Sequence, residues 1–177
     1  MKIPFYILGL LIRYGPQHGY SLKHIIEDRI SDFAKIKLPS IYYHLDRLKE
    51  MGYVSESIDR DGNRPEKTVY SITEIGRRHF DVLYKMQMEE VYSPELPLDG
   101  VLYFSEDADT AELLNTLKNR HQELVYKIEA LNLHEESALE NMGDDGAVSA
   151  KIIFEHHRCH IEAEIDWLTK TIEGLSR

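Results

Sequence analysis

The stretch from Pro39 to Ser71 constrains the fold more than any other. An amphipathic helical pattern, PSIYYHLDRLKEMG, runs directly into two strand-like segments joined by a charged turn, YVSESIDRDGNRPEKTVYSI. Ile41, Leu45 and Leu48 recur at i, i+4 and i+7, which assigns them to one buried face. Ser40, Tyr43, Arg47 and Glu50 then face outward, with Tyr42, His44 and Lys49 on the flanks. Pro39 suits the first turn of such a helix, and Gly52 stands where a left-handed cap is expected after its end. The runs 53–58 and 68–72 are β-branched or aromatic and partly alternating, so they predict a hairpin with a longish loop carrying Arg60, Asn63 and Arg64. A helix with a polar, aromatic outer face beside a basic hairpin suits a DNA major groove with a wing next to it.

Two further helices are expected before this device. The first runs from about Ile3 to Tyr14, tolerates Pro4 in its first turn and ends at Gly15-Pro16. Its apolar residues cover most of its circumference, which predicts burial. After the turn PQHG, a second helix opens at Tyr20 or Ser21, and Leu22, Ile25, Ile26 and Ile30 recur along it at helical spacing. Its pattern breaks near Ser31-Asp32. Beyond the hairpin, Thr73-Glu74 supplies an N-cap and a first-turn acid for a fourth helix reaching about Val91. SPELPLDG, with two prolines and a glycine in eight residues, has the composition of a linker.

Two long helical segments follow. Leu114, Leu117, Leu124, Ile128, Leu131, Ala138 and Met142 form one stripe in steps of three and four, interrupted by His121 and Glu135. Phe154, Ile161, Ile165, Leu168, Ile172 and Leu175 form another, with Arg158 in one slot. The polar turn GDDG between them predicts an antiparallel hairpin. Two helices bury little by themselves, so a second copy of the chain is expected to cover what remains, with Leu117, Leu124, Ile128, Leu131, Ile161, Ile165, Leu168 and Ile172 at the dimer seam. His121 and Arg158 are expected to set helix register or pairing.

The net charge of −10 opposes DNA binding if spread evenly, because duplex affinity rests largely on neutralising phosphates. It is not spread evenly. Residues 1–80 carry 13 Lys+Arg against 10 Asp+Glu, and the remainder carries 8 against 21. This split predicts two modules with different partners, the acidic one turned away from nucleic acid. The best candidate for a membrane span, IPFYILGLLI, stops at Arg13, well short of the roughly 18 to 20 apolar residues a bilayer requires. The single Cys159 forms no internal disulfide and fits a reducing, cytoplasmic setting. No phosphate-binding glycine loop, nucleophile motif or carboxylate pair of diagnostic spacing points to an enzyme.

Four blocks carry a family resemblance: ILGLL at Ile7 to Leu11, HGYSL at His18 to Leu22, SIYYHLDRLKEMGYV at Ser40 to Val54, and VYSITEIGRRHF at Val69 to Phe80. In this order they resemble the PadR-like family of winged-helix transcriptional regulators. Pro39 and Tyr43 depart from the family pattern, which often has a small residue and a proline at those positions. The resemblance implies a homodimer on a palindromic operator, usually a repressor, released by a small molecule or other signal.

The expected architecture is therefore mainly α. A winged helix-turn-helix domain (α+β) over residues 1–91 leads through a linker, 92–105, to an antiparallel helical dimerisation domain, 106–177. Expected DNA contacts are Ser40, Tyr42, Tyr43 and Arg47 on the third helix, and Arg60, Asn63, Arg64 and Lys67 on the wing. Lys35 and Lys37 precede the third helix as phosphate contacts. His18 and Tyr20 stand near the second helix's start, where backbone amides meet phosphates. Double-stranded operator DNA, a second copy and a small-molecule effector are the expected partners, with no membrane and no cofactor. His156 and His160 share a helix face as a two-histidine metal site needs, but an interface or surface cluster is the favoured reading. The rival to DNA binding is a winged-helix protein-interaction or ligand-sensing module.

Overall fold

The computed structural model describes residues 2–31, 34–59, 67–91, 93–94, 96–105, 109–140 and 144–176. The chain divides into two compact units, Met1–Ser93 and Pro94–Arg177.

In the first unit, α1 (Lys2–Tyr14), β1 (Gln17–His18), α2 (Gly19–Arg29), α3 (Leu38–Glu50), β2 (Val54–Asp59), β3 (Lys67–Ile72) and α4 (Glu74–Glu89) follow in chain order. This is the winged helix-turn-helix arrangement. The hairpin β2–β3 is antiparallel, from Val54 opposite Ile72 to Asp59 opposite Lys67. β1 adds to its free side through Gln17–Tyr70 and His18–Val69, giving the order β1-β3-β2. The PQHG turn thus contains a short strand, because β3 offers its open edge at this point.

The core forms where the apolar stripes of α1, α2 and α3 converge. Ile7, Leu8, Leu11, Leu22, Ile26, Ile41 and Leu45 are fully buried, and Leu48, Val54 and Tyr70 nearly so. Phe5 stacks on Phe80 with ring centroids 5.2 Å apart, which joins α1 to α4. α3 ends as its sequence dictates: Gly52 adopts φ +73, the left-handed conformation that costs glycine little.

A polar clasp joins the end of α3 to the start of α4. Thr73 caps α4 by accepting from the Gly76 amide at 3.0 Å, while its hydroxyl lies 2.7 Å from the Gly52 carbonyl oxygen. A Cβ at Gly76 would stand 2.0 Å from the Tyr53 carbonyl oxygen, so only glycine permits this approach.

The second unit contains α5 (Pro97–Tyr103), α6 (Thr110–Glu140) and α7 (Asp144–Leu175). α5 lies inside the stretch read as a linker; Pro97 stands in its first turn, where a missing amide does no harm. α6 and α7 form the expected antiparallel hairpin. Leu131, Ala150, Phe154 and Ile161 are buried between them, with Leu124, Ile128, Ala138, Leu139 and Ile165 packed alongside. Leu117 and Leu168 are also fully buried and Ile172 half-buried. The eight residues expected at a dimer seam are thus at least partly covered within the single chain.

The polar interruptions of the two stripes meet across the hairpin. Arg158 bonds Glu135 and lies 3.3 Å from Asn132 Oδ1, and Arg120 reaches Glu164 at 3.0 Å. The Glu135 carboxylate stabilises the Arg158 charge, with Glu155 adding to it. His121 Nε2 stands 3.2 Å from Thr169 Oγ1, whose hydroxyl donates to the Ile165 carbonyl. These pairs fix the register that a purely apolar stripe leaves open to slippage.

Candidate nucleic-acid interface

The burial of Ile41, Leu45 and Leu48 turns the opposite side of α3 to solvent. Tyr43 is 59% exposed and Arg47 is exposed, while Ser40, nearer the helix start, is half-buried. Tyr43 meets His44 edge to face at 5.1 Å. Arg47 Nη1 lies 3.2 Å from Glu50 Oε2, and Lys49 Nζ lies 3.0 Å from Glu56 Oε2 on β2. The Glu50 carboxylate, followed by Tyr43, raises the pKa of Arg47; Glu56 does the same for Lys49. All four side chains of these ion pairs are exposed, so the pairs are weak and salt-screened, and a phosphate can replace the carboxylates.

Tyr42 has a second role that its sequence position does not reveal. A Cβ at Gly19 would lie 2.5 Å from Tyr42 Cε1, so the ring rests on the bare backbone at the start of α2. It is still 41% exposed. Gly19 follows His18, whose Nδ1 donates to the Thr68 carbonyl at 3.0 Å. The start of α2, one flank of α3 and the base of the wing are thereby joined, and Lys67 is exposed beside Thr68. Tyr20 is exposed and packs edge to face on His24 at 4.5 Å.

Lys35 and Lys37 are exposed ahead of α3, and the Lys37 carbonyl accepts from the Ser40 and Ile41 amides as the helix begins. Arg60, Asn63 and Arg64 lie outside the described residues. Reading along the chain missed Gly19 as the seat of Tyr42 and Glu56 as a carboxylate facing α3, because both relations join distant segments. The HGYSL block, with glycine directly before the helix's first aromatic residue, was the only signal for the first.

Among the described residues no group of three or more His, Cys, Asp and Glu gathers as a metal site, and no helix is long and apolar enough to cross a membrane.

Residues 7–82, from α1 into α4, match the model of the transcriptional regulator PadR-like family. Over these residues the chain is similar to this family. The family is described as one of transcriptional regulators. It is 27% identical over 131 residues to the negative transcriptional regulator PadR of Bacillus subtilis strain 168, an alignment covering 73% of this chain and 70% of that protein. Its fold is similar to the crystal structure of Bacillus subtilis PadR in complex with operator DNA, at TM-score 0.79 and 18% identity over 99% of both chains. A PadR-like transcriptional regulator from Bacillus cereus follows at TM-score 0.72 and 22% identity, over 98% of both. Bacillus subtilis PadR in complex with p-coumaric acid matches at TM-score 0.74 and 16% identity, covering 99% of this chain and 96% of that one. Both units of the chain thus share the fold of these proteins.

Proposed function

We propose that this PadR-like chain is a homodimeric, DNA-binding repressor that leaves a palindromic operator when a small molecule reaches it. The observation that carries the reading is the surface of α3: Tyr43 and Arg47 exposed, Tyr42 seated on Gly19, and the base of the wing tied to His18. In this reading residues 1–91 bind DNA, 92–105 connect, and 106–177 pair two copies in the cytoplasm. Ser40, Tyr42, Tyr43 and Arg47 enter the major groove. His18, Tyr20, Lys35, Lys37 and the wing residues Arg60, Asn63, Arg64 and Lys67 hold phosphates. The description of the Bacillus subtilis relative as a negative regulator supports repression, and the operator-bound and p-coumaric-acid-bound structures support DNA and effector binding.

Pairing is assigned to the helical hairpin. Leu117, Leu124, Ile128, Leu131, Ile161, Ile165, Leu168 and Ile172 shape it from within, and Tyr126 and Leu133, exposed one heptad apart on α6, offer apolar surface to a second copy. A two-fold dimer of this kind reads half-sites about 34 to 36 Å apart, one helical turn of DNA.

The test is fluorescence anisotropy on duplex DNA from upstream of its own gene, repeated over a range of salt. Affinity is expected to fall steeply with salt, and Arg47→Ala to weaken binding about tenfold or more. Binding insensitive to salt, or an unchanged Arg47→Ala variant, leaves the non-DNA sensing module as the better reading. The acidic balance of the chain and the carboxylates Glu50 on α3 and Glu56 on β2, which pair with Arg47 and Lys49, favour that alternative.

A further inference from the structure

α7 carries two exposed histidines to which the DNA-binding reading gives no role. His156 and His160 are exposed and one helical turn apart. Their rings turn towards each other: the Nε2 atoms are 3.0 Å apart, the ring centroids 4.6 Å apart, and the planes at 82°. At this distance one Nε2 donates to the other; neutral imidazole with its proton on Nδ1 offers Nε2 as a metal ligand, so an ion that shifts this proton to Nδ1 replaces the hydrogen bond and is chelated by both nitrogens.

The spacing also selects among ions. With metal–nitrogen bonds of about 2.0 to 2.1 Å, nitrogens at this separation subtend an angle of about 91 to 97° at the metal. That is the angle between adjacent ligands in square-planar or octahedral coordination. A tetrahedral ion needs its donors several tenths of an ångström further apart. Imidazole donors with square-planar or tetragonal geometry suit Cu²⁺ and Ni²⁺. The setting is favourable for any cation, since residues 81–177 carry 21 Asp+Glu against 8 Lys+Arg.

The flanking donors do not converge on this point. Cys159 Sγ turns to Glu155 Oε1 at 3.6 Å, and the His157 ring centroid lies 6.1 Å from that of His156. Among the described residues no third His, Cys, Asp or Glu joins the pair, which leaves the other positions to solvent.

We propose that His156 and His160 form a chelating site on α7 for a divalent transition metal of square-planar or octahedral preference, taking Cu²⁺ and Ni²⁺ ahead of Zn²⁺. The test uses the full chain, free of any histidine tag and stripped with a chelator, titrated separately with CuCl₂, NiCl₂ and ZnCl₂. The first equivalent of Cu²⁺ is expected to give an electron paramagnetic resonance spectrum with two equatorial imidazole nitrogens, and Ni²⁺ to bind more tightly than Zn²⁺. His156→Ala and His160→Ala, both at exposed positions, are each expected to weaken Cu²⁺ and Ni²⁺ binding about tenfold or more, because the chelate is lost. His157→Ala is expected to bind as the wild type does. Wild-type affinity in His156→Ala or His160→Ala, or Zn²⁺ bound more tightly than Ni²⁺, overturns the proposal; circular dichroism establishes that each variant is folded.

Discussion

The two units bury their apolar residues in different ways. Among the described residues, seven side chains of the N-terminal unit, from Ile7 to Leu45, are fully buried, and they come from three helices. In the helical hairpin only Leu117 and Leu168 of the described residues reach that state, and the remainder of the seam is a line of largely covered residues crossed by ion pairs. Three helices and a sheet enclose a volume, whereas two helices enclose only a line. The first unit therefore holds its shape through packing, and the second through register.

The largest effect is expected from Leu45→Ala, which empties a fully enclosed site and costs about 2 to 5 kcal/mol, measured by urea denaturation followed through tyrosine. Leu131→Ala in the hairpin is expected near the bottom of that range, since solvent and side-chain movement partly fill the gap. Trp167, the single tryptophan, reports this second transition separately. Equal costs at the two sites would break the comparison.

Gly76→Ala comes next. Its methyl meets a backbone oxygen rather than a flexible side chain, so a loss of about 1 to 3 kcal/mol is expected in the unfolding of the N-terminal unit, with the Trp167-detected transition unchanged. Thr73→Ala removes the cap beside it and should cost about 0.5 to 2 kcal/mol in the same transition. Glu135→Ala tests register: less than about 1 kcal/mol lost, but broadened resonances along α6 and α7, as pairing becomes less unique. Sharp, unshifted resonances would remove Arg158–Glu135 from that role.

The smallest effect concerns acid. Burial, aided by the nearby N-terminus, holds His44 below its ordinary pKa, so the unfolded chain binds the proton more readily. Stability of the N-terminal unit is then expected to fall as pH drops through about 6.5. His44→Gln should flatten that part of the profile, read as the denaturation midpoint against pH.

How much of this was legible along the chain depended on how local each cause is. The buried face of α3, the left-handed Gly52 and the Thr73 cap were readable, because each is decided within a turn or two of helix. β1 was not, since two residues become a strand only when Val69 and Tyr70 lie alongside them. α5 was hidden by its prolines, which mark both linkers and helix starts. His121, Glu135 and Arg158 stood out as polar breaks in apolar stripes, but which would meet depended on how the hairpin closes. At the candidate interface, the exposure of Tyr43 and Arg47 followed from periodicity, whereas the seating of Tyr42 on Gly19 required two helices to be brought together. The wing residues Arg60, Asn63 and Arg64 rest on composition alone.

The clasp around Thr73 gives the N-terminal unit a mechanical property. One hydroxyl and one missing side chain weld the exit of α3 to the entrance of α4, through Gly52, Tyr53 and Gly76. The two helix ends therefore separate only if these hydrogen bonds break, so they are expected to move as one piece.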